Sequence, residues 1–559
     1  MERRTFLSSV ILGLLTSSIP SLTSLFLTKK ARANPPTIKL AQNQPILTNF
    51  INVKDFGTLI SGITNDPTTI ATNTATIQAA IDTVGRSGGG SVYIPAGIYQ
   101  ISPPDLNAEI AASIVIKYDN ITIIGDGIGK TILQSRGDWS VHGGQVIRGM
   151  GILIKGSTDV NQPRKNITIK NLELSGGTNG FTGNRDWPAN PITGDGWDIT
   201  HKGIALDFNK ALDNITIDSV YVHDFRGEVI YAGGAWVGKV TISNTKLRSS
   251  NASMLSLDAD LTVTNCEFEQ TANAWVENAP ISPNKSYYFD KCIFKDSTAA
   301  GLVIAQGRFP ENNNVKITNC LFYNSPAGVC PFGGSINILV ENNKFIDCHN
   351  ALFTSGENRN IKFYSNEVIA EKASVISLNI WGDIKNLHAK NNHQTSTYQS
   401  NTNTPCVVYF DKLQNVVIED NIFENCRTPE QSSGLSYERP LFRNNKYINA
   451  ERRELQGVIN FRQSPPYIVE PKFEEMVVRN ETGNPVIEVS MSTDYYVDGQ
   501  EVLIVGGESY AQIKFPKYSS TLELKCDRYL RGQSEEIRLR FNKLARKWYE
   551  ISYLNRLLC

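Results

Sequence analysis

The sequence predicts an all-β fold: a right-handed, single-stranded parallel β-helix with an N-terminal capping helix and a small C-terminal β-rich module. Three observations carry this. A short phrase ending in a turn-like Asn recurs from Asn214 to Asn421, as NITIDSVYV, KVTISNTKL, DLTVTNCEF, SYYFDKCIF, NVKITNCLF, NILVENNKF, NIKFYSNEV, NLHAKNNHQ and NVVIEDNIF, with an earlier copy at Asn166. Successive starts from Asn214 lie 21 to 29 residues apart. Apolar residues alternate within each copy and show no helical spacing, so each copy is one strand-rich coil stacked on the next.

The first element is an export segment, residues 1–33. Arg3-Arg4-Thr5-Phe6-Leu7 precedes an apolar run from Val10 to Leu15, and Ala31-Arg32-Ala33 offers a small-x-small cleavage site before Asn34. Pro20 and several hydroxyls interrupt the longer stretch Ile11–Leu27, which makes it a poor permanent anchor. The arginine pair and weak apolar core resemble a twin-arginine signal, with an ordinary secretory signal as the alternative. The expected location is outside the cytoplasm, secreted or periplasmic, with no membrane contact after cleavage. Residues 34–49 are a Pro/Gln/Asn-containing linker.

The β-helix is expected over 50–460. Its opening carries a helix with Ile77, Ile81 and Val84 on one face, which would cover the unpaired edge of the first coil. Each coil then adds about 4.8 Å along the axis. Ile215/Ile217, Val240/Ile242, Leu261/Val263, Val315/Ile317 and Ile338/Val340 should line the interior as ladders. Six residues after each start stand Cys266, Cys292 and Cys320, then Asn343, Asn366, Asn392 and Asn421. Asn suits a bend there, since it tolerates left-handed backbone and can bond its stacked neighbour. Cys at that place acts as a small apolar filler, predicting a ladder of free thiols. The nine cysteines of the chain show no framework spacing, which argues against structural zinc and a disulfide scaffold. Folding before export by the twin-arginine route would keep such thiols reduced.

From residue 465 to 559 the pattern changes to short alternating strands at Val486–Val489, Glu501–Val505, Thr521–Lys525, Ile537–Phe541 and Trp548–Ile551. This module is read as a cap for the last coil; a trimerising or carbohydrate-binding role is the alternative. Lys plus Arg equal Asp plus Glu at 55 each, so net charge supplies no case for nucleic acid.

The segment INVKDFG…TATIQAAID…GGGSVYIPAGIYQI, followed by NITIIGDGIGKTIL from Asn120, resembles the opening of the pectate-lyase-like superfamily. Polygalacturonases, rhamnogalacturonases, polysaccharide lyases and phage tailspikes belong to it. The resemblance implies a carbohydrate ligand, usually an acidic polysaccharide, without choosing a reaction.

The densest polar group lies in two consecutive coils, Asp195 to Asp207 and His223 to Tyr231. Matching Gly203 with Gly227, or Ile204 with Val229, places charged residues one strand spacing apart. Polygalacturonases carry three catalytic Asp in NTD and DD words, with GHG and RIK. Here the NTD position reads ITHK, the DD position RGE and the GHG position NAS, and no RIK occurs. That mechanism is not carried over.

A lyase needs a base for the proton α to a uronate carboxyl and a cation for the resulting enolate. His201, Lys202 and Arg226 beside Glu228, Asp207 and Asp224 could supply both, with Ca²⁺ on the carboxylates as an option. A hydrolase needs two separated carboxyls, for which Glu228 with Asp207 or Asp258 would serve. The competing reading is an ion-pair patch on an exposed sheet. Arg185, Trp187 and Trp197 in the insertion 176–200, together with Tyr231, are candidate sugar-binding residues. Four of seven tryptophans, counting Trp236 and Trp275, fall in this region. The leading function is an exported enzyme cleaving an acidic polysaccharide by lyase or hydrolase chemistry. The alternative is a non-catalytic β-helix that binds cell-surface polysaccharide.

Overall fold

The structure, a computed structural model, describes residues 51–64, 66–105, 111–135, 150–176, 202–207, 210–225, 228–232, 236–248, 255–257, 259–269, 273–277, 285–297, 299–305, 314–431, 440–450, 456–462, 465–469, 475–493, 496, 498–507, 511–532 and 535–555. The export segment and linker lie outside them. Two compact units divide the chain: residues up to 337 with 343–349, and residues 338–342 with those from 350 onward.

The first unit begins with helix α1, Pro67–Arg86. Asp66 caps it by accepting the Thr68 and Thr69 amides, and Pro67 occupies the first turn, where no amide is needed. Ile77, Ile81 and Val84 are buried as expected, with Ile70 and Ala80. The helix does more than cover the first coil. The Gln78 carboxamide accepts the Val115 N–H at 2.9 Å and donates to the Val115 carbonyl at 2.9 Å. Those are the backbone groups an unpaired strand edge would leave open.

Each coil then contributes to three sheets of parallel strands. One holds Ala112–Ile116, Met150–Ile154, Ile204–Leu206, Ile230–Ala232 and Leu255–Leu257. A second stacks Ile121/Ile123, Ile167/Ile169, Ile215/Ile217, Val240/Ile242 and Leu261/Val263 in register. A third carries the stacked rings Phe268, Phe294, Phe322 and Phe345, with centroids 4.6 to 4.8 Å apart. The predicted aliphatic ladders are therefore interior, each residue at most 1% exposed. The structure is a parallel β-helix.

The turn chemistry differs from expectation by one residue. Left-handed backbone falls on Asn265, Lys291, Asn319, Asn342, Ser365, Asn391 and Asp420, one place before the Cys and Asn column. The starting Asn is left-handed too, at Asn166, Asn214, Asn337, Asn360, Asn386 and Asn415. In the second unit, the buried Asn column works through its side chains. Asn392 Oδ1 accepts the Asn366 amide at 2.9 Å, Asn421 Oδ1 accepts the Asn392 amide at 2.8 Å, and Asn392 Nδ2 donates to the Phe363 carbonyl at 2.9 Å. Cys266, Cys292 and Cys320 hold the same place in the first unit as buried free thiols. The Cys292 amide points at Cys320 Sγ, 3.4 Å away.

The second unit continues with sheets built from Asn350–Thr354, Ile376–Ile380 and Val407–Tyr409, from Asn358–Tyr364, Ile384–Lys390 and Leu413–Glu419, and from Glu367–Ala370, His393–Ser396 and Ile422–Glu424. Beyond them, Gln456–Phe461, Glu475–Asn480 and Glu501–Gly506 pair in parallel, as do Tyr467–Val469, Val486–Met491 and Gln512–Phe515. Arg528–Leu530, Glu535–Asn542 and Lys547–Asn555 pair antiparallel. Trp548 anchors this region, fully buried, its indole N–H donating to the Ser492 carbonyl at 2.8 Å.

Candidate active site

The strands Met150–Ile154, Ile204–Leu206 and Ile230–Ala232 set the geometry. Ile204 pairs with both Ile152 and Ile230. Neither sequence alignment is therefore right: the corner before Ile230 takes one residue more than the later of the two. Lys202 stands opposite Glu228 rather than Arg226, and the Gly203 amide donates to the Glu228 carbonyl at 3.2 Å.

Which face these side chains take follows from their neighbours. Ala112, Met150, Leu153 and Ala205 form an apolar cluster of their own, with Val115 packed against it. Tyr231 pairs with Ala205 and shares its face, opposite to Ile152, Ile204 and Ile230. The Lys202 ammonium lies 3.6 Å from the Tyr231 ring centroid and pairs with Glu228 Oε2. Lys202, Glu228 and Tyr231 thus form one polar group at the start of strands Ile204–Leu206 and Ile230–Ala232. All three are covered: Lys202 and Tyr231 are 4% exposed and Glu228 2%.

Asp207, also buried, accepts the Gly156 amide on Oδ2 at 3.3 Å. The Lys202 ammonium occupies one face of the ring of Tyr231, a candidate sugar-binding residue. His201, Arg226, Arg185, Trp187 and Trp197 lie outside the described residues. Among the described residues, no group of three or more His, Cys, Asp or Glu is placed to hold a metal ion, so Ca²⁺ finds no ligand set there.

A second polar group sits on the neighbouring sheet, where Arg164–Ser175, Ala211–His223, Lys246–Arg248, Glu267–Glu269 and Ile293–Lys295 run side by side. His223 bridges two carboxylates, Nδ1 to Asp224 at 2.7 Å and Nε2 to Glu173 at 3.1 Å, and stacks on Tyr221. Burial opposes its charged form, but the hydrogen bonds to Asp224 and Glu173 outweigh burial and raise its pKa. Burial likewise opposes the Asp224 charge, yet His223 and Arg248 hold its pKa below the usual value. Glu267 is enclosed by Lys246 and Lys295. The sequence placed His223 and Asp224 near the site. Glu173 and Arg248 come from other coils, and only a correct strand register could have found them.

The Right handed beta helix region family matches residues 150–345 and 278–411. The Rhamnogalacturonase A/epimerase, pectate lyase-like family matches residues 50–194. A mannuronan C5-epimerase of Azotobacter vinelandii is 29% identical over 206 residues, which are 35% of this chain and 14% of that protein. Alginate lyase 7 of the same organism is 40% identical over 88 residues, 16% of this chain and 9% of that one. The chain thus spans only a small part of these curated relatives. The solved A-module of an A. vinelandii mannuronan C5-epimerase aligns over 72% of this chain and 100% of its own, at 15% identity and a TM-score of 0.44.

Proposed function

We propose that this right-handed β-helix protein, pectate-lyase-like in its N-terminal part, acts on an acidic polysaccharide by removing a proton α to a uronate carboxyl. One observation carries the reading: Lys202, Glu228 and Tyr231 meet in one group on adjacent strands of a parallel sheet. That group holds what proton abstraction requires. Glu228 is a carboxylate able to take or return a proton, and Lys202 is a cation able to hold the enolate that forms. Hydrolysis asks instead for two carboxyls set apart by the width of a sugar or of a water. Glu228 brings a carboxylate to this group directly beside the Lys202 cation, which favours the first chemistry.

The relatives support the polymer class. Lyases and C5-epimerases of uronate polymers begin with the same step, loss of the C5 proton. They part afterwards, since elimination expels the 4-linked sugar while epimerisation returns a proton to the opposite face. A group as covered as Glu228 meets substrate only where its cover opens, so access belongs to what is tested. Export through residues 1–33, a division near residue 460 and trimerisation through the C-terminal region belong to the same proposal.

The test is incubation with alginate, polygalacturonate and neutral glucans in deuterated water. Three signals separate the outcomes: absorbance of unsaturated uronate, new reducing ends, and deuterium at C5. Absorbance marks elimination, deuterium without it marks epimerisation, and reducing ends alone mark hydrolysis and refute the proposed step. Binding without any of the three favours the second reading, a polysaccharide-binding protein; the fully paired state of Lys202 and Glu228 is what supports it.

A further inference from the structure

We propose that the second unit carries a binding surface for a carboxylate-bearing polysaccharide on the outer face of strands Asn358–Tyr364, Ile384–Lys390, Leu413–Glu419 and Leu441–Arg443; the polymer class rests on the function proposed above. Ile361, Phe363, Leu387, Ala389, Val416 and Ile418 point into the core. Their alternates face outward, and register places Lys362 with His388, and Tyr364, Lys390, Glu419 and Arg443 in line; Arg359 and Lys385 pair just before the left-handed Asn360 and Asn386. Five of these residues are Lys or Arg, and Glu419 is the one carboxylate among them.

Asp420 takes part of that excess through Lys390, 3.2 Å away, and Glu419 takes more. Glu419 is buried and already engaged by Arg443, by Lys390 at 3.2 Å and by His388 Nε2 at 3.0 Å. Burial opposes its charge, but these partners hold its pKa down to about 2. It works as the buried anchor that orients the cations around it. His388 is fixed from its other side by the Tyr364 hydroxyl, 2.8 Å from Nδ1. Arg359 reaches Glu357 at 2.7 Å, whereas Lys362 stands exposed. Arg359 and Lys385 stand on strands about 4.8 Å apart, with Glu357 engaging Arg359.

A second feature adjoins this face. Trp381 and Phe410, on consecutive coils, sit at the corners leading into Ile384–Lys390 and Leu413–Glu419. Both are half-buried, and their ring centroids are 5.2 Å apart. A uronate polymer matches both features, since its carboxylates meet the cations and its ring faces lie on aromatic surfaces. The arrangement does not require the Lys202–Glu228 group to be catalytic.

The experiment is electrophoresis of the full chain through gels containing alginate, polygalacturonate, dextran or duplex DNA. Alginate or polygalacturonate should retard the protein, dextran should not, and added salt should weaken the effect. Lys362→Glu/Lys385→Glu should lower apparent affinity about tenfold or more, as expected when phosphate-like ionic contacts to a polyanion are removed. Lys362→Gln/Lys385→Gln should cause a smaller loss, and Lys239→Glu/Lys517→Glu, with the same change in net charge, should not. Binding by the Lys362→Glu/Lys385→Glu variant equal to wild type, or stronger retardation by DNA than by either polyuronate, overturns the surface. If a polyuronate is turned over while that variant binds unchanged, only this inference fails. If no polymer is turned over but binding is lost in the variant, the surface stands and the proposed reaction falls.

Discussion

Lys202 and Glu228 hold the same register position on consecutive coils, and their charges meet where the side chains are 5% and 3% exposed. Removing one member of such a pair leaves the other charged and uncompensated. Lys202→Met should therefore lower unfolding free energy by about 3–5 kcal/mol. The double variant Lys202→Met/Glu228→Leu should recover most of that loss. Urea titrations of the three proteins decide it, and a double variant no more stable than the single one would refute burial of the pair.

His223 gives the first unit a pH dependence of known sign. Burial opposes its charge, yet Asp224 and Glu173 raise its folded pKa above the ordinary histidine value of 6.5. The contribution is thus complete below about pH 6.5 and fades as pH rises through the folded value. Tyr221, Arg248, Lys246 and Glu269 surround the same group and shape its field. The stability difference between wild type and His223→Gln should shrink from pH 6 toward alkaline pH. A proton-detected histidine titration with its midpoint at or below the unfolded value would contradict this.

Glu419 acts in the opposite direction. Its folded pKa of about 2 lies below the ordinary glutamate value of 4.5. Its contribution is present above about pH 4.5 and is lost as pH falls toward 2. Acid unfolding followed by circular dichroism should show wild type and Glu419→Gln converging across that window. Parallel curves would show that Arg443, Lys390 and His388 do not hold the carboxylate as described.

The thiols predict a labelling pattern. Cys266, Cys292, Cys320, Cys330, Cys348, Cys406 and Cys426 are buried and free, while Cys526 is exposed. Burial pushes Cys330 and Cys348 up to about 12, which removes the reactive thiolate. Iodoacetamide on the native protein should modify Cys526 and spare those seven, and all should react in guanidinium. A bridge between any two of Cys266, Cys292 and Cys320 in unreduced protein would refute the thiol ladder.

The interior of the coils was legible because stacking repeats one constraint in every turn. Ile215, Val240 and Leu261 must all face inward, and the period exposes them. The corners were less legible. Cys and then Asn fill one column while the left-handed residue is its predecessor, so composition pointed to the bend but not to the position taking positive φ. The site suffered most, since the Arg226–Val229 corner has no internal marker and a shift of one residue changes which residue faces Lys202. Tyr364, Lys390 and Glu419 hold the same place after Asn360, Asn386 and Asn415, so that column was present in the repeat and needed only to be read downward. Parallel pairing beyond Gln456 left no such trace, because alternation looks alike in parallel and antiparallel strands.

The central claim is that Glu228 moves the proton. The most direct measurement is C5 deuterium incorporation into alginate or polygalacturonate by wild type and Glu228→Gln, with circular dichroism and urea curves confirming that both are folded. Wild type should incorporate deuterium or generate unsaturated ends. Glu228→Gln should be slower by about 10²–10⁴-fold, the usual contribution of a positioned acid or base. A folded Glu228→Gln protein that exchanges or eliminates at the wild-type rate would contradict the account.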